Sequence, residues 1–171
     1  EGDMILGPID SVRANSSRLN AARPDSKPMA LVDPFASLWP STSGVVEIPY
    51  VFEAGPQADV ERAVVAFNNT FNGTIRWIPR SGQIDYVAFS LKGEPGGACL
   101  SYIGRIGGKQ EISGDPLCSV GRLLHEMGHV MGFGHNFESD TDVMSYRWDR
   151  FPNRTLSQRP GAAGGAAEGC A

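Results

Sequence analysis

His125-Glu126-Met127-Gly128-His129-Val130-Met131-Gly132-Phe133-Gly134-His135 contains all three histidines of the chain, spaced as H-E-x-x-H-x-x-G-x-x-H. A helix puts residues i and i+4 on one face, so His125 and His129 can aim their imidazoles at one point. Glu126 lies beside that face, within reach of a water held there. Gly132 can take the left-handed conformation that ends the helix, and the chain can then bring His135 round as third ligand. Three neutral imidazoles and an open fourth position describe a catalytic zinc site, not a structural one. The alternative is a helix whose histidines only pack or face solvent, and the length of the pattern disfavours it.

The rest of the composition sets bounds. The chain has 171 residues, enough for one domain with a real core. Hydrophobic residues make up 41% and charged residues 20%, as in an ordinary globular protein. A formal net charge of -4 gives no basic surface for nucleic acid. No apolar run of about 18 residues is present, so no membrane span is expected. No signal peptide is visible ahead of Glu1, and any such segment is expected to have been removed or to lie outside this sequence.

Cys99 and Cys118 sit in loop-like surroundings and can close a loop of about 20 residues just ahead of the zinc helix, worth roughly 3 kcal/mol. Cys170 would then be unpaired. Three free thiols in a reducing compartment is the alternative, and the residues alone leave both open. Four N-x-Ser/Thr sequons, at Asn15, Asn68, Asn72 and Asn153, fit a secreted protein.

Working outward from the zinc helix, Ser119 to Phe133 reads as its span, with Ser119 as N-cap and Gly132 or Gly134 as stop. Before it, Leu100 to Ile106 and Gln110 to Ser113 read as strands around the turn Gly107-Gly108. Val45 to Phe52, Thr74 to Pro79 and Asp85 to Leu91 also read as strands. Pro49 within the first argues for an edge or a bulge. Asp59 to Phe71 reads as a helix, because Val60, Val64, Phe67 and Phe71 form one apolar stripe. Strands first, a helix between and a helix behind, predict an α+β sheet domain with the zinc cleft below the sheet. Residues 1–37 read as a leader and linker, 38–160 as the catalytic domain, and 161–171 as a disordered Gly/Ala-rich tail.

The histidine pattern matches the metzincin signature. Asp142-Val143-Met144-Ser145-Tyr146 resembles its methionine turn, with Met144 as the apolar floor under the zinc histidines. The resemblance extends to the astacin family of metalloproteases. Leu38-Trp39-Pro40 and Ile48-Pro49-Tyr50-Val51-Phe52 resemble the start of the mature astacin domain. Gly97-Ala98-Cys99-Leu100-Ser101-Tyr102-Ile103-Gly104-Arg105, then Gln110-Glu111-Ile112-Ser113, resemble its edge strand and loop. The likeness spans about Leu38 to Tyr146. It implies a metzincin-like α+β fold: a twisted, mostly parallel sheet with an antiparallel edge strand, a backing helix, a zinc helix and a small C-terminal subdomain. It also implies a Cys99–Cys118 disulfide, and gives Tyr146 the role of a tyrosine that swings from the zinc to stabilise the transition state.

The chain opens Glu1-Gly2-Asp3, which resembles the Phe-x-Gly-Asp of astacin pro-segments with its phenylalanine trimmed. In that family the aspartate binds the zinc and displaces the catalytic water, so Asp3 is expected to be a latency switch. Arg13-Ala14 and Arg18-Leu19 are the better candidates for the activating cut, since Arg23 and Lys27 precede proline. Three departures stand out. Asn136 replaces the glutamate that usually follows the third histidine. Met144 follows His135 by only nine residues. Thr74 stands where a cysteine is usual, which leaves Cys170 without its family partner.

The resemblance implies a secreted, monomeric zinc-dependent endopeptidase in latent zymogen form. It would bind one Zn2+ and act on protein or peptide substrates, with Glu126 as general base and acid, after cleavage by an activating protease. The alternative is a catalytically silent zinc-containing peptide-binding protein, against which stand Glu126 and Tyr146, groups that only chemistry requires.

Overall fold

The computed structural model describes residues 4–5, 36–93, 98–135 and 143–145 of the chain. The sheet is built from β1 (Met4–Ile5), β2 (Ser41–Thr42), β3 (Val45–Ala54), β4 (Ile75–Pro79), β5 (Tyr86–Ser90), β6 (Leu100–Tyr102) and β7 (Lys109–Ser113). Two helices accompany it, α1 (Gln57–Phe71) and α2 (Val120–Val130). The strand order is β1-β6-β7-β5-β3-β2, with β4 also paired to β3. β3 runs parallel to β4 and β5, and β5 parallel to β7. β6 runs antiparallel to β7, and β2 antiparallel to β3. This is the mostly parallel α+β sheet with an antiparallel edge region that the sequence predicts.

β3 carries the most pairing, and it is not an edge strand. Pro49 is tolerated for a local reason. The amide of Val46 bonds Thr74 O, and Tyr50 O accepts from Arg80, so both residues face β4. Alternation turns the nitrogen of Pro49 to the opposite side. There it falls between the end of the β2 register at Val46 and the start of the β5 register at Tyr50. No ladder hydrogen bond is lost. The bulge lies further on, between Phe52 and Ala54.

β6 is shorter than the strand predicted over Leu100 to Ile106. The chain leaves the sheet because Gly104 turns to a φ of +72° and sends its amide to His129 O on α2 (2.8 Å). A Cβ at Gly104 would lie 2.4 Å from Ser37 O, so only glycine permits this approach.

α1 buries Val60, Val64, Phe67 and Phe71, the predicted stripe, together with Ala63. It ends at Asn72, whose left-handed backbone (φ 41°) suits asparagine. The side chain of Asn68, on the last turn of α1, pairs with the main chain of Trp77 in both directions. Its Nδ2 donates to Trp77 O (3.0 Å), and its Oδ1 accepts from Trp77 N (2.8 Å). The helix is thereby fastened to β4. Between sheet and helices lies an aromatic cluster in which Trp77 meets Phe67, Tyr50 and Phe89 at centroid separations of 5.8–6.4 Å. Ile48 and Ile112 from the sheet and Leu123 and Met127 from α2, all fully buried, complete the core.

Candidate metal centre

α2 starts at Ser119, the predicted N-cap, whose hydroxyl accepts from the amide of Arg122. From Leu123 to Val130 every residue of the helix is buried. Its C-terminal carbonyls, which a helix cannot satisfy itself, are met from outside. The indole Nε1 of Trp39 donates to Val130 O (3.0 Å), and Gly104 N and Gly132 N both donate to His129 O. Gly132 has a φ of +96° and turns the chain after the helix, as its place in the motif predicts.

This turn brings His135 back to His125 and His129. The ligand nitrogens of the three rings lie within 4.8 Å of one another, and all three residues are buried. Nε2 of His125 is 3.0 Å from that of His129 and 3.2 Å from that of His135. The opposite nitrogens fix the tautomers. Nδ1 of His125 meets Val143 O at 2.6 Å, and Nδ1 of His129 meets Phe133 O at 2.7 Å. A carbonyl only accepts, so both Nδ1 atoms donate, and in the neutral tautomer that this selects each Nε2 presents a lone pair. Two lone pairs brought to 3.0 Å of each other are an arrangement that a cation shared by both rings would favour. The donor set therefore fits a metal, and three neutral imidazoles fit zinc with a position open for catalysis. The two carbonyls are the outer partners that orient metal-binding histidines.

Glu126 is fully buried beside His125. Its Oε2 accepts from the hydroxyl of Ser101 on β6 at 2.7 Å. Met144 is buried and lies against Gly128, between His125 and His129 in the sequence of α2. A Cβ on Gly128 would come within 2.2 Å of Met144 Sδ. The methionine floor thus exists because position 128 has no side chain. Val143, one residue earlier, supplies the carbonyl that holds His125, so the turn that carries Met144 also orients that ring.

The Cys99–Cys118 disulfide is formed, with a Cα–Cα separation of 6.2 Å. It ties the start of β6 to the approach of α2. Asp3 and Tyr146 lie outside the described residues, as do Asn136, Cys170 and the candidate cleavage points after Arg13 and Arg18. Sequence reasoning did not single out Gly128, the indole of Trp39 or the hydroxyl of Ser101. Gly128 alone carried a usable signal, being a glycine inside a helix, where packing or close approach is the usual reason.

The family model of the astacin peptidases matches residues 34–152. The chain is 36% identical over 113 residues to high choriolytic enzyme 1 of Oryzias latipes, covering 62% of this chain and 39% of that protein. It is 30% identical over 152 residues to the astacin-like metalloendopeptidase of Mus musculus, covering 79% and 34%. It is 34% identical over 109 residues to zinc metalloproteinase nas-14 of Caenorhabditis elegans, covering 61% and 20%. A solved structure of high choriolytic enzyme 1, a hatching enzyme zinc-protease from medaka fish, is similar at a TM-score of 0.49 and 34% identity, covering 57% of this chain and 50% of that one. The chain thus spans less than half the length of the curated relatives it matches.

Proposed function

Because the chain belongs to the astacin family of peptidases, we propose that it acts as a zinc-dependent endopeptidase on protein or peptide substrates and is held latent by its leader. The observation that carries this reading is the set of three buried imidazoles whose Nε2 atoms converge while the Nδ1 atoms of His125 and His129 are tied to carbonyls.

Zinc, when bound by His125, His129 and His135, supplies a Lewis acid that acidifies a water and polarises the carbonyl of the bond to be cut. Glu126 takes the proton of that water as the new C–O bond forms. It then passes the proton to the departing amine as the C–N bond breaks. Tyr146, by family resemblance, donates to the oxyanion of the tetrahedral intermediate. Once the leader is gone, an extended substrate adds to the side of β6 that β1 covers here, through main-chain hydrogen bonds.

The latent state draws support from β1. Met4 and Ile5 pair in parallel with Ser101 and Tyr102 of β6. The leader thus lies on the strand edge that a substrate would use, and Asp3 directly precedes it in sequence. A carboxylate that bound the metal would take its open position and exclude the water. Secretion, a monomeric state and an activating protease that cuts after Arg13 or Arg18 belong to the same reading. Among the described residues, no helix is long and apolar enough to cross a membrane.

The test is hydrolysis of a denatured general protein substrate by the intact chain and by the chain after its leader has been cut, each with and without a zinc chelator. Chelator-sensitive turnover that rises on cutting is the expected result. Equal turnover before and after cutting would remove the latency mechanism, and no zinc-dependent turnover in either form would remove the peptidase.

A further inference from the structure

Ser101 occupies the middle of β6 and is completely buried. Its hydroxyl points away from the strand ladder toward α2. It lies 2.7 Å from Glu126 Oε2 and 3.1 Å from the main-chain oxygen of the same residue. A hydroxyl has one proton to give, and an ionised carboxylate is the stronger acceptor at the shorter distance. The main-chain oxygen of Glu126 faces the same hydroxyl, so Ser101 contacts both the root and the tip of one side chain.

The terminal torsion of a glutamate is broad and roughly two-fold, so packing alone does not define the plane of its carboxylate. A general base must stand within hydrogen-bond reach of the proton it removes. An anchor on Oε2 fixes that plane and with it the direction of Oε1. The hydrogen bond also offsets part of the cost of burying a carboxylate completely.

We propose that Ser101 is a positioning residue for peptide-bond hydrolysis, its hydroxyl holding the Glu126 carboxylate in the orientation that receives the water's proton. This rests on the endopeptidase reading above. Ser101 does not touch the reacting atoms and acts through Glu126. Its main chain meanwhile lies in β6, where Met4 of the leader pairs with it. The strand that receives a peptide and the group that orients the base therefore share one residue.

The experiment compares Ser101→Ala and Ser101→Cys with the wild type, in the full chain after its leader has been cut. Cysteine keeps the shape of serine with a somewhat bulkier sulfur, and its thiol is a weak donor. In both variants kcat is expected to fall about ten- to a hundredfold, the scale of a small misplacement of a catalytic group. KM should stay within about twofold and zinc content should not change, because an interaction that serves the transition state lowers kcat and kcat/KM together. If the alanine variant does not fold, the cysteine variant carries the test. The second readout is the infrared carboxylate band of Glu126, isolated by subtracting the spectrum of Glu126→Gln, which should shift when the hydroxyl is removed. A kcat within about twofold of wild type in either folded variant would overturn the proposal, and so would an unchanged Glu126 band. A wild type that shows no zinc-dependent turnover, yet whose band shifts on substitution, would overturn the endopeptidase reading and leave the Ser101–Glu126 contact standing.

Discussion

At the scale of single residues, the site depends as much on a missing side chain as on those present. Gly128 sits on the zinc helix between His125 and His129, and the sulfur of Met144 fills the space its Cβ would take. Gly128→Ala must displace Met144, which is itself buried. Overpacking of this kind costs about 1–3 kcal/mol. The methionine turn would move with it, and the turn includes Val143, whose carbonyl holds the ring of His125. The expected outcome is a lower denaturation midpoint together with weaker zinc retention, read by denaturant titration and by competition with a chromogenic chelator. Unchanged zinc affinity would show that the methionine floor and the histidine geometry are independent.

The histidines themselves were legible because ligand spacing on a helix is a local property, written within eleven consecutive positions. The closing glycine Gly132 was legible for the same reason. Ser101 was not. It meets Glu126 across 25 positions of sequence, and nothing in a strand of alternating exposure says which neighbour a buried serine will find. Trp39 is similar, since its bond to Val130 O spans 91 positions.

At the scale of elements, helices and strands were largely readable and their ends were not. The predicted stripe on α1 is buried, yet the helix begins at Gln57, two residues before the predicted start at Asp59. Pro56 occupies the cap position without a side-chain hydrogen bond, so the usual N-terminal signal is missing. β6 stops at Tyr102 because a tertiary bond from Gly104 to α2 overrides its local strand character. The bond between Asn68 and Trp77 is another tertiary tie, and it makes one sequon a structural element. Asn68→Ala strips both partners from the main chain of Trp77. The loss should be about 1–3 kcal/mol, since the abandoned groups are partly buried. Urea unfolding measures it, and a change below a few tenths of a kcal/mol would mean that water replaces the amide.

The loop between β6 and β7 is held by Asp85. Gly108 N donates to its Oδ1 at 2.6 Å, and Arg105 pairs with its Oδ2. The hydrogen bond from Gly108, helped by the Arg105 guanidinium and opposed by partial burial, lowers the carboxyl below its ordinary value. A carboxyl whose pKa is lower folded than unfolded adds stability above its unfolded value of about 4. That stability disappears as pH falls through the folded value. Wild type should therefore exceed Asp85→Asn in urea midpoint near neutral pH, and the gap should close toward about pH 2. A gap that stays constant with pH would assign the effect to packing and not to charge.

At the scale of the whole molecule, the parts converge on one construction. A mixed sheet supports α2 through β6 and β7, a disulfide joins β6 to the approach of α2, and the indole of Trp39 and Gly104 close its C-terminal end. The result is a buried helix whose two histidines converge with a third returned by a glycine turn, and alongside it a strand edge paired by Met4 and Ile5. The α+β class followed from strands first with a helix between and a helix behind, and the metzincin-like sheet and family membership from motifs spread over residues 38 to 146. The register of the sheet did not follow, because pairing between distant strands is set by core packing that only the folded chain displays.

The measurement that bears most directly on the central claim is metal content beside turnover for Glu126→Gln, set against wild type with the leader cut. One zinc per chain is expected in both, since Glu126 is not among the three converging imidazoles. Turnover should fall by about 10²- to 10⁴-fold, the range for loss of a general acid-base. A Glu126→Gln protein that binds zinc and cleaves as fast as wild type would contradict the account.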